Sequence, residues 1–310
     1  MPPAIIHQGT QAPPSLRAGA VLCLGNFDGL HLGHQALLRR VAQLAGTGRQ
    51  RVALTFDPHP QALLAPDLKM RMLVPPPRRL ELLAQAGLDL LWVLPFNRQL
   101  AALDAAGFLG GVLAPLAPHR LVLGEDARLG AERAAGTEEL ARLAQGFGFG
   151  LEVLEGLCLE GQRVSSTAIR DKLAAGDLPG AARLLGRWFR VFGRVGRGRG
   201  LGRSMGFPTA NLELEEQLSP APGVYLVRAG LPSGVWVPGL AAIGNRPTFG
   251  DSEPSFEVFL LDYSGDLYGQ ELIVDMLVRL RDLRAFGSVE ELVAAMQQDL
   301  VGARAFFAQG

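Results

Sequence analysis

Hydrophobic and polar positions change their period partway along the chain. In the first part, short apolar runs alternate with stretches of helical period. Ala20–Leu24 (AVLCL) is an unbroken apolar run of the kind that is buried on both faces of a sheet. His34–Ala45 follows, with Leu37, Leu38, Val41, Leu44 and Ala45 on one helical face and Arg39, Arg40 and Gln43 on the other. Arg51–Phe56 predicts the next strand. A helix is expected near Arg78–Ala86, then strands at Leu88–Leu94 and Leu121–Leu123. Thr137–Gln145 predicts a helix opened by Thr137 as a cap and by two acids. Leu151–Glu155 predicts a strand and Ser166–Gly176 another helix. Such alternation predicts a parallel sheet flanked by helices.

Near Gly186 the pattern changes. Six arginines and five glycines crowd Arg187–Arg203, with no acid among them. Beyond lie strand-like pieces (GVYLVRA, GVWVPGLAAIG, SFEVFLLD, ELIVDMLVRL) separated by turn signals such as RAGLPSG and DYSGD. They predict a small antiparallel barrel or sandwich. A helix from Val289 to about Phe307 closes it, with Ser288 and Glu291 spaced as a capping box. The reading is therefore two domains, 1–185 and 186–310.

Composition narrows the chemistry. The chain has 310 residues, 48% hydrophobic and 19% charged, with zero formal net charge, so no global field draws it to nucleic acid or membrane. Lys69 and Lys172 are the only lysines and neither follows a glycine, which excludes a Walker A loop. Cys23 and Cys158 form no CxxC and no disulfide framework, as suits a reducing cytoplasm. The first sixteen residues carry no Lys or Arg and no long apolar run, so no signal peptide is expected. The apolar stretch Ala229–Asn245 is interrupted by Pro232, Pro238 and four glycines and does not read as a membrane helix.

Five histidines are present, and two of them close GNFDGLHLGH, Gly25–His34. This stretch joins a predicted strand to an amphipathic helix, where open parallel sheets bind ligands. Gly25 and Gly29 permit a tight turn and close backbone approach. The helix start suits phosphate. His31 and His34 are placed to stabilise negative charge building on one phosphorus, which is electrostatic rather than acid–base work. A polar turn is the plain alternative. A zinc site is another, but His7, His59 and His119 are scattered and neither cysteine is spaced as a partner.

Other motifs gather around this one. In RVSSTAIR (Arg163–Arg170), Ser165, Ser166 and Thr167 cluster hydroxyls at a helix start between Arg163 and Arg170, a possible triphosphate clamp or an ordinary capped helix. In TFDPHP (Thr55–Pro60), two prolines stiffen the exit of a strand around Asp57 and His59. Together with VLGEDARLG (Val122–Gly130), these stretches resemble, in order, the HxGH nucleotidyltransferases. The resemblance is more specifically to the bacterial bifunctional riboflavin kinase/FMN adenylyltransferase (FAD synthetase) family. It covers nearly the whole chain. It implies an α/β Rossmann-like nucleotidyltransferase domain followed by a small antiparallel β-barrel with a C-terminal helix. It implies catalysis of adenylyl transfer by His31 and His34, and ATP binding by Gly25, Phe27, Asp28, Gly33, Arg163, Ser165, Ser166, Thr167 and Arg170, with the last group opposite the HxGH helix. It implies a flavin pocket at Asp57, Pro58, His59 and Asp126. Ala127 stands where the family has an aromatic.

In the second half, GRSMGFPTANL (Gly202–Leu212) sets Thr209 and Asn211 on one face of a strand, a hydroxyl and an amide suited to magnesium beside ATP phosphates. The Gly-rich run Gly193–Gly202 offers backbone N–H groups and arginines to those phosphates. Arginine, glycine and aromatics in Gly186–Arg203 also fit single-stranded nucleic acid, although the segment is short and runs into a strand. Glu257 shares a strand face with Phe259 and Leu261, where a desolvated carboxylate would serve as a base; a solvent-facing glutamate is the alternative. The resemblance implies a kinase ATP site at Gly198, Gly202, Gly206, Pro208, Thr209 and Asn211, magnesium at Thr209 and Asn211, and Glu257 as the base acting on riboflavin. Arg197, Leu283 and Ala285 depart from the family pattern.

The expected function is phosphorylation of riboflavin to FMN and adenylylation of FMN to FAD, both with Mg2+ and ATP. The expected setting is the cytoplasm, without nucleic acid or membrane, as a monomer or weak homo-oligomer. An adenylyltransferase with a weakened kinase, and a flavin- or RNA-binding regulatory module, are the alternatives.

Overall fold

The computed structural model describes residues 3–67, 71–198, 202, 205–244 and 255–308. Part of the Gly-rich run (199–201), part of the Gly202–Leu212 motif (203–204) and Asn245, at the end of the Ala229–Asn245 stretch, lie outside these. The chain divides into two compact units. The first comprises Met1–Met72 with Pro76–Ser166, the second Leu73–Pro75 with Thr167–Gly310.

The first unit carries strands β1 (Ile5–Gln8), β2 (Val21–Leu24), β3 (Arg51–Asp57), β4 (Leu90–Pro95), β5 (Arg120–Gly124) and β6 (Gly150–Leu154). Helices α1 (Leu32–Ala45), α2 (Pro60–Leu64), α3 (Pro76–Ala84), α4 (Arg98–Ala101), α5 (Ala105–Phe108) and α6 (Thr137–Gly146) lie between them. A short hairpin follows, β7 (Cys158–Leu159) with β8 (Gln162–Arg163). The six long strands pair in parallel in the order β1-β4-β3-β2-β5-β6. The apolar run of β2 is buried throughout because both its faces are covered. Leu22 and Leu24 pack with Trp92, Phe108 and Leu140 on one side, while Val21 and Cys23 pack with Leu37, Val41 and Leu83 on the other. β3 and β5 flank β2 on opposite sides, so the chain reverses its winding there. Ligand crevices open at such a point, at the carboxyl ends of the strands.

The second unit holds α8 (Leu178–Leu185), strands β9 (Phe189–Gly196), β10 (Thr209–Leu214), β11 (Gly223–Gly230), β12 (Trp236–Gly244), β13 (Ser255–Leu260) and β14 (Glu271–Arg281), and α9 (Val289–Phe307). Helix α7 (Ser166–Ala174) starts at the division and groups with this unit from Thr167. The strands close an antiparallel barrel in the order β10-β13-β12-β11-β14-β9, which removes any free sheet edge. Ala303 of α9 is buried with Val224, Leu226, Leu240 and Leu277. Its predicted capping box forms: Ser288 Oγ accepts from Glu291 N at 3.2 Å. The Glu291 carboxylate reaches back one residue beyond the cap, to Gly287 N at 3.0 Å.

Two expectations change. Helix α1 starts at Leu32, two residues before the apolar periodicity begins, because extended His31 is its N-cap. Thr137 is not a cap: Gly136 holds that position without a side-chain bond, and Glu138 and Glu139 fill the first turn, where acids oppose the dipole. The change of pattern near Gly186 falls at the left-handed C-cap of α8 (Gly186, φ 73°), whose N-cap is Asp177.

Gln217 is fully buried in the second unit and makes three bonds. Its Nε2 donates to Leu73 O (3.0 Å) and Arg190 O (2.6 Å), and its Oε1 accepts from Phe192 N (3.0 Å). The amide thereby ties the three-residue segment Leu73–Pro75 to β9. Gln217→Leu keeps the volume and removes all three bonds. At roughly 0.5–1.5 kcal/mol net for each, chemical denaturation should show a loss of about 2–4 kcal/mol. A loss below about 1 kcal/mol would mean that the amide does not hold the segment.

Candidate active sites

The first constellation forms at the end of β2. The chain leaves the strand through Gly25 and Asn26 and turns through three positive-φ residues, Phe27 (53°), Gly29 (82°) and Leu30 (41°), with Asp28 between the first two. Phe27 is fully buried, and a Cβ at Gly25 would lie 3.2 Å from its ring. Gly25 therefore answers to packing as well as to the turn. The other edge of Phe27 meets His34, with ring centroids 5.3 Å apart at 65°.

His31 and His34 stack, with centroids 3.6 Å apart and planes 16° from parallel. His31 Nδ1 accepts from His34 N at 3.3 Å, so its exchangeable proton sits on Nε2. Burial, and then the neighbouring His31, hold His34 well below the ordinary imidazole value, so it is neutral at pH 7. Its Nδ1 is buried without a hydrogen-bond partner. Gly33 matters by absence: a Cβ there would sit 3.2 Å from the His31 ring and 3.5 Å from Val164 O. The pair thus presents two imidazoles side by side at a helix start.

One neighbouring motif meets this turn through Ser166. Ser166 Oγ donates to Asp28 O at 2.9 Å, which brings the serines of RVSST to the histidine loop, while Asp28 itself is buried. Ser165 is half-buried beside it in sequence. Thr167 and Arg170 continue along α7 beyond the Ser166–Thr167 division. Arg163, on β8, lies 2.9 Å from Glu125 and 3.6 Å from Asp126, which joins the loop after β5 to the same hairpin. At the end of β3, the Asp57–Pro58 peptide is cis and His59 caps α2, its Nδ1 accepting from Gln61 N at 3.2 Å.

Two residues were missed from sequence. Glu125 holds Arg163. Arg79, on α3, sends one N–H to Asn26 O (2.7 Å) and another to Phe56 O (2.8 Å), and lies 3.9 Å from Asp57. The available signal was an arginine on the buried face of α3, together with Leu80, Leu83 and Ala84.

The second constellation belongs to the barrel. β10 pairs with β13 so that Asn211 opposes Glu257 and Thr209 opposes Phe259. Thr209 Oγ1 donates to Glu257 Oε2 at 2.9 Å across the ladder. Phe207 packs near Phe259 with centroids 5.6 Å apart. A Cβ at Gly198 would run into the Asn211 side chain, and one at Gly202 into the Phe207 carbonyl, 3.2 Å from Thr209 Oγ1. The Gly202 carbonyl accepts from Met205 N and Phe207 N, and Gly206 (φ 82°) and exposed Pro208 complete the loop into β10. Gly198, Gly202, Thr209, Asn211 and Glu257 are thus brought together. Glu257 is half-buried beside half-buried Phe259, whereas Leu261 lies past the end of β13. Among the described residues, no three or more His, Cys, Asp or Glu side chains group as a metal cluster.

The state of His34 sets a pH dependence. Unfolded histidine titrates near 6.5, and the folded site disfavours that proton because the half-buried His34 ring is desolvated and faces His31. Below about pH 6.5 the unfolded chain therefore gains protons that the folded chain does not, and stability falls as pH falls. Chemical denaturation of the parent across this range should show that loss, and His34→Gln should flatten it. An unchanged slope in the variant would contradict the assignment.

Comparison with known proteins adds an independent line. The FAD synthetase family model matches residues 14–168, and the riboflavin kinase family model matches residues 185–307. The bifunctional riboflavin kinase/FMN adenylyltransferase of Pseudomonas fluorescens is 40% identical over 299 residues, 94% of each chain. That of Escherichia coli K12 is 39% identical over 307 residues, 97% of this chain and 96% of its own. A solved structure described as a macrolide-efflux protein from Streptococcus pneumoniae is 31% identical, with a TM-score of 0.86 over 97% of this chain and 99% of that one. No helix among the described residues is long and apolar enough to cross a membrane. With both family models matched and relatives similar along almost their whole length, the chain belongs to the bifunctional riboflavin kinase/FMN adenylyltransferase family.

Proposed function

We propose that this chain makes FAD from riboflavin in two ATP-dependent steps. The barrel constellation phosphorylates riboflavin to FMN, and the strand-end constellation transfers AMP from ATP to FMN, releasing pyrophosphate. The observation that carries the reading is the presence of two separate polar pairs, the stacked His31 and His34 in the first unit and Thr209 with Glu257 in the second, each suited to one transfer. The proposed boundary between the activities is at 185/186, close to where the second family match begins. The reading includes a cytoplasmic setting, supported by two unpaired cysteines.

In the kinase step, Glu257 takes the proton of the riboflavin 5′-hydroxyl as that oxygen attacks the γ-phosphorus, and ADP leaves. Thr209 orients the carboxylate by donating to Oε2. Its proton is thereby committed, and the oxygen lone pairs suit a hard cation. With the Asn211 amide oxygen opposite, the donor set fits Mg2+ bound with ATP phosphates. When bound, Mg2+ would neutralise charge developing on those phosphates. Gly198, Gly202, Gly206 and Pro208 form the loop that lets the phosphates approach the backbone.

In the adenylyl step, an FMN phosphate oxygen attacks the α-phosphorus and the bond to pyrophosphate breaks. His31 and neutral His34 donate hydrogen bonds to the oxygens that gain charge, without exchanging protons with the reactants. Gly25, Asp28, Gly33 and the hydroxyls of Ser165, Ser166 and Thr167 frame the triphosphate, with Arg163 and Arg170 as its cationic partners. Phe27 contributes through its backbone, since its ring is buried. Asp57, Pro58, His59 and Asp126 line the flavin side.

The two steps should separate by mutation. His34→Ala should strongly reduce FAD formation from FMN and leave FMN formation from riboflavin nearly intact. Glu257→Gln should do the reverse, with a kinase loss of roughly a hundred- to ten-thousandfold, the usual range for a general base. Chromatography of flavins during turnover with magnesium-ATP reads both. Equal loss of both activities in a folded variant would sink the division of labour.

A further inference from the structure

We infer that Arg79 is a positioning residue for adenylyl transfer, holding the turn that carries the histidine pair in register with the flavin-side loop. The inference rests on the adenylyl-transfer reading above.

Arg79 occupies an interior position of α3 and is 1% exposed. A guanidinium in such a place is costly, and an apolar side chain of similar volume would be the more stable choice for packing alone. What the guanidinium does instead is bridge two backbones. One N–H reaches Asn26 O at 2.7 Å and the other Phe56 O at 2.8 Å. Asn26 lies beyond the last β2–β3 pair, Leu24 with Leu54, so its carbonyl has left the ladder. Phe56 is the penultimate residue of β3, directly before Asp57.

The two acceptors therefore lie at the roots of the two loops that the proposed site needs at a fixed separation. One loop leads through Phe27 and Asp28 to His31. The other carries Asp57, Pro58 and His59. The nearby Asp57 carboxylate (3.9 Å) and the charge of Asp28 favour the cation that burial disfavours. Two donors in one rigid plane are specific to arginine. Lysine would bring a point charge on a flexible stem and could not impose the same spacing.

The test uses the full chain with Arg79→Lys and Arg79→Ala, and measures kcat and KM for FMN and for ATP in FAD formation. Riboflavin phosphorylation serves as the internal control. If the fork positions the loops, both variants lose kcat for adenylyl transfer by about ten- to a hundredfold, the penalty of a small misplacement of reacting groups, while the kinase stays within about twofold. Millimolar guanidinium, but not ammonium, restores part of kcat in Arg79→Ala. Arg79→Lys retaining the parent kcat, or a loss confined to KM, overturns the inference. So does loss of cooperative unfolding of the first unit in Arg79→Lys at room temperature, which would make the role structural only. Absence of FAD formation by the parent protein itself would instead overturn the adenylyl-transfer reading, and the inference with it.

Discussion

The histidine site depends on the burial of one phenyl ring. A strand covered on both faces must hand its chain to a turn without leaving apolar surface open, and Phe27 does this by folding back into the core. It adopts a left-handed backbone conformation, φ 53°, which disfavours a residue with a side chain and persists only where surrounding packing imposes it. The packing here is complete: the ring is fully buried, rests over Gly25 and meets the edge of His34. Two features accompany that contact. Gly25 cannot gain a Cβ without pressing on the ring, and His34, half-buried beside it, is held towards its neutral form. The protonation state of His34 thus arises first from desolvation and then from the neighbouring His31.

The barrel reaches its site by another route. Closure pairs β10 with β13, and the ladder register alone sets Asn211 opposite Glu257 and Thr209 within reach of the same carboxylate. Small residues at Gly198 and Gly202 then keep the approach to these groups open at the loop side. One site is organised by a wedge at a strand end, the other by register.

Much of this architecture was legible in the sequence because it rests on local pattern. The apolar run of β2, the periodicity of α1 and the Ser288–Glu291 box each carry their signal within a few residues. The two histidines of GNFDGLHLGH likewise fall at a helix start, where His31 caps α1 and His34 lies in its first turn. What was not legible depends on partners distant in sequence. β1 has only four residues, and exposed Ile5 and Ile6 show no core pattern; it exists because β4 offers an edge, Ile5 opposite Leu90. Arg79 was not singled out, because its acceptors Asn26 and Phe56 lie 53 and 23 residues away along the chain. The Thr209–Glu257 bond spans 48 residues and needs the closed barrel to form. Helix α8 was missed although Asp177 and Gly186 mark its ends, because Pro179 and Gly180 weaken its first turn as a helical signal.

The central claim is that two different phosphorus atoms of ATP are attacked on one chain. Following label from ATP into flavins tests it most directly. With riboflavin and magnesium-ATP, label at the γ-phosphorus should appear in FMN and then in FAD, whereas label at the α-phosphorus should appear in FAD alone. FMN carrying α-label, or an absence of either label from the flavin products, would contradict the account.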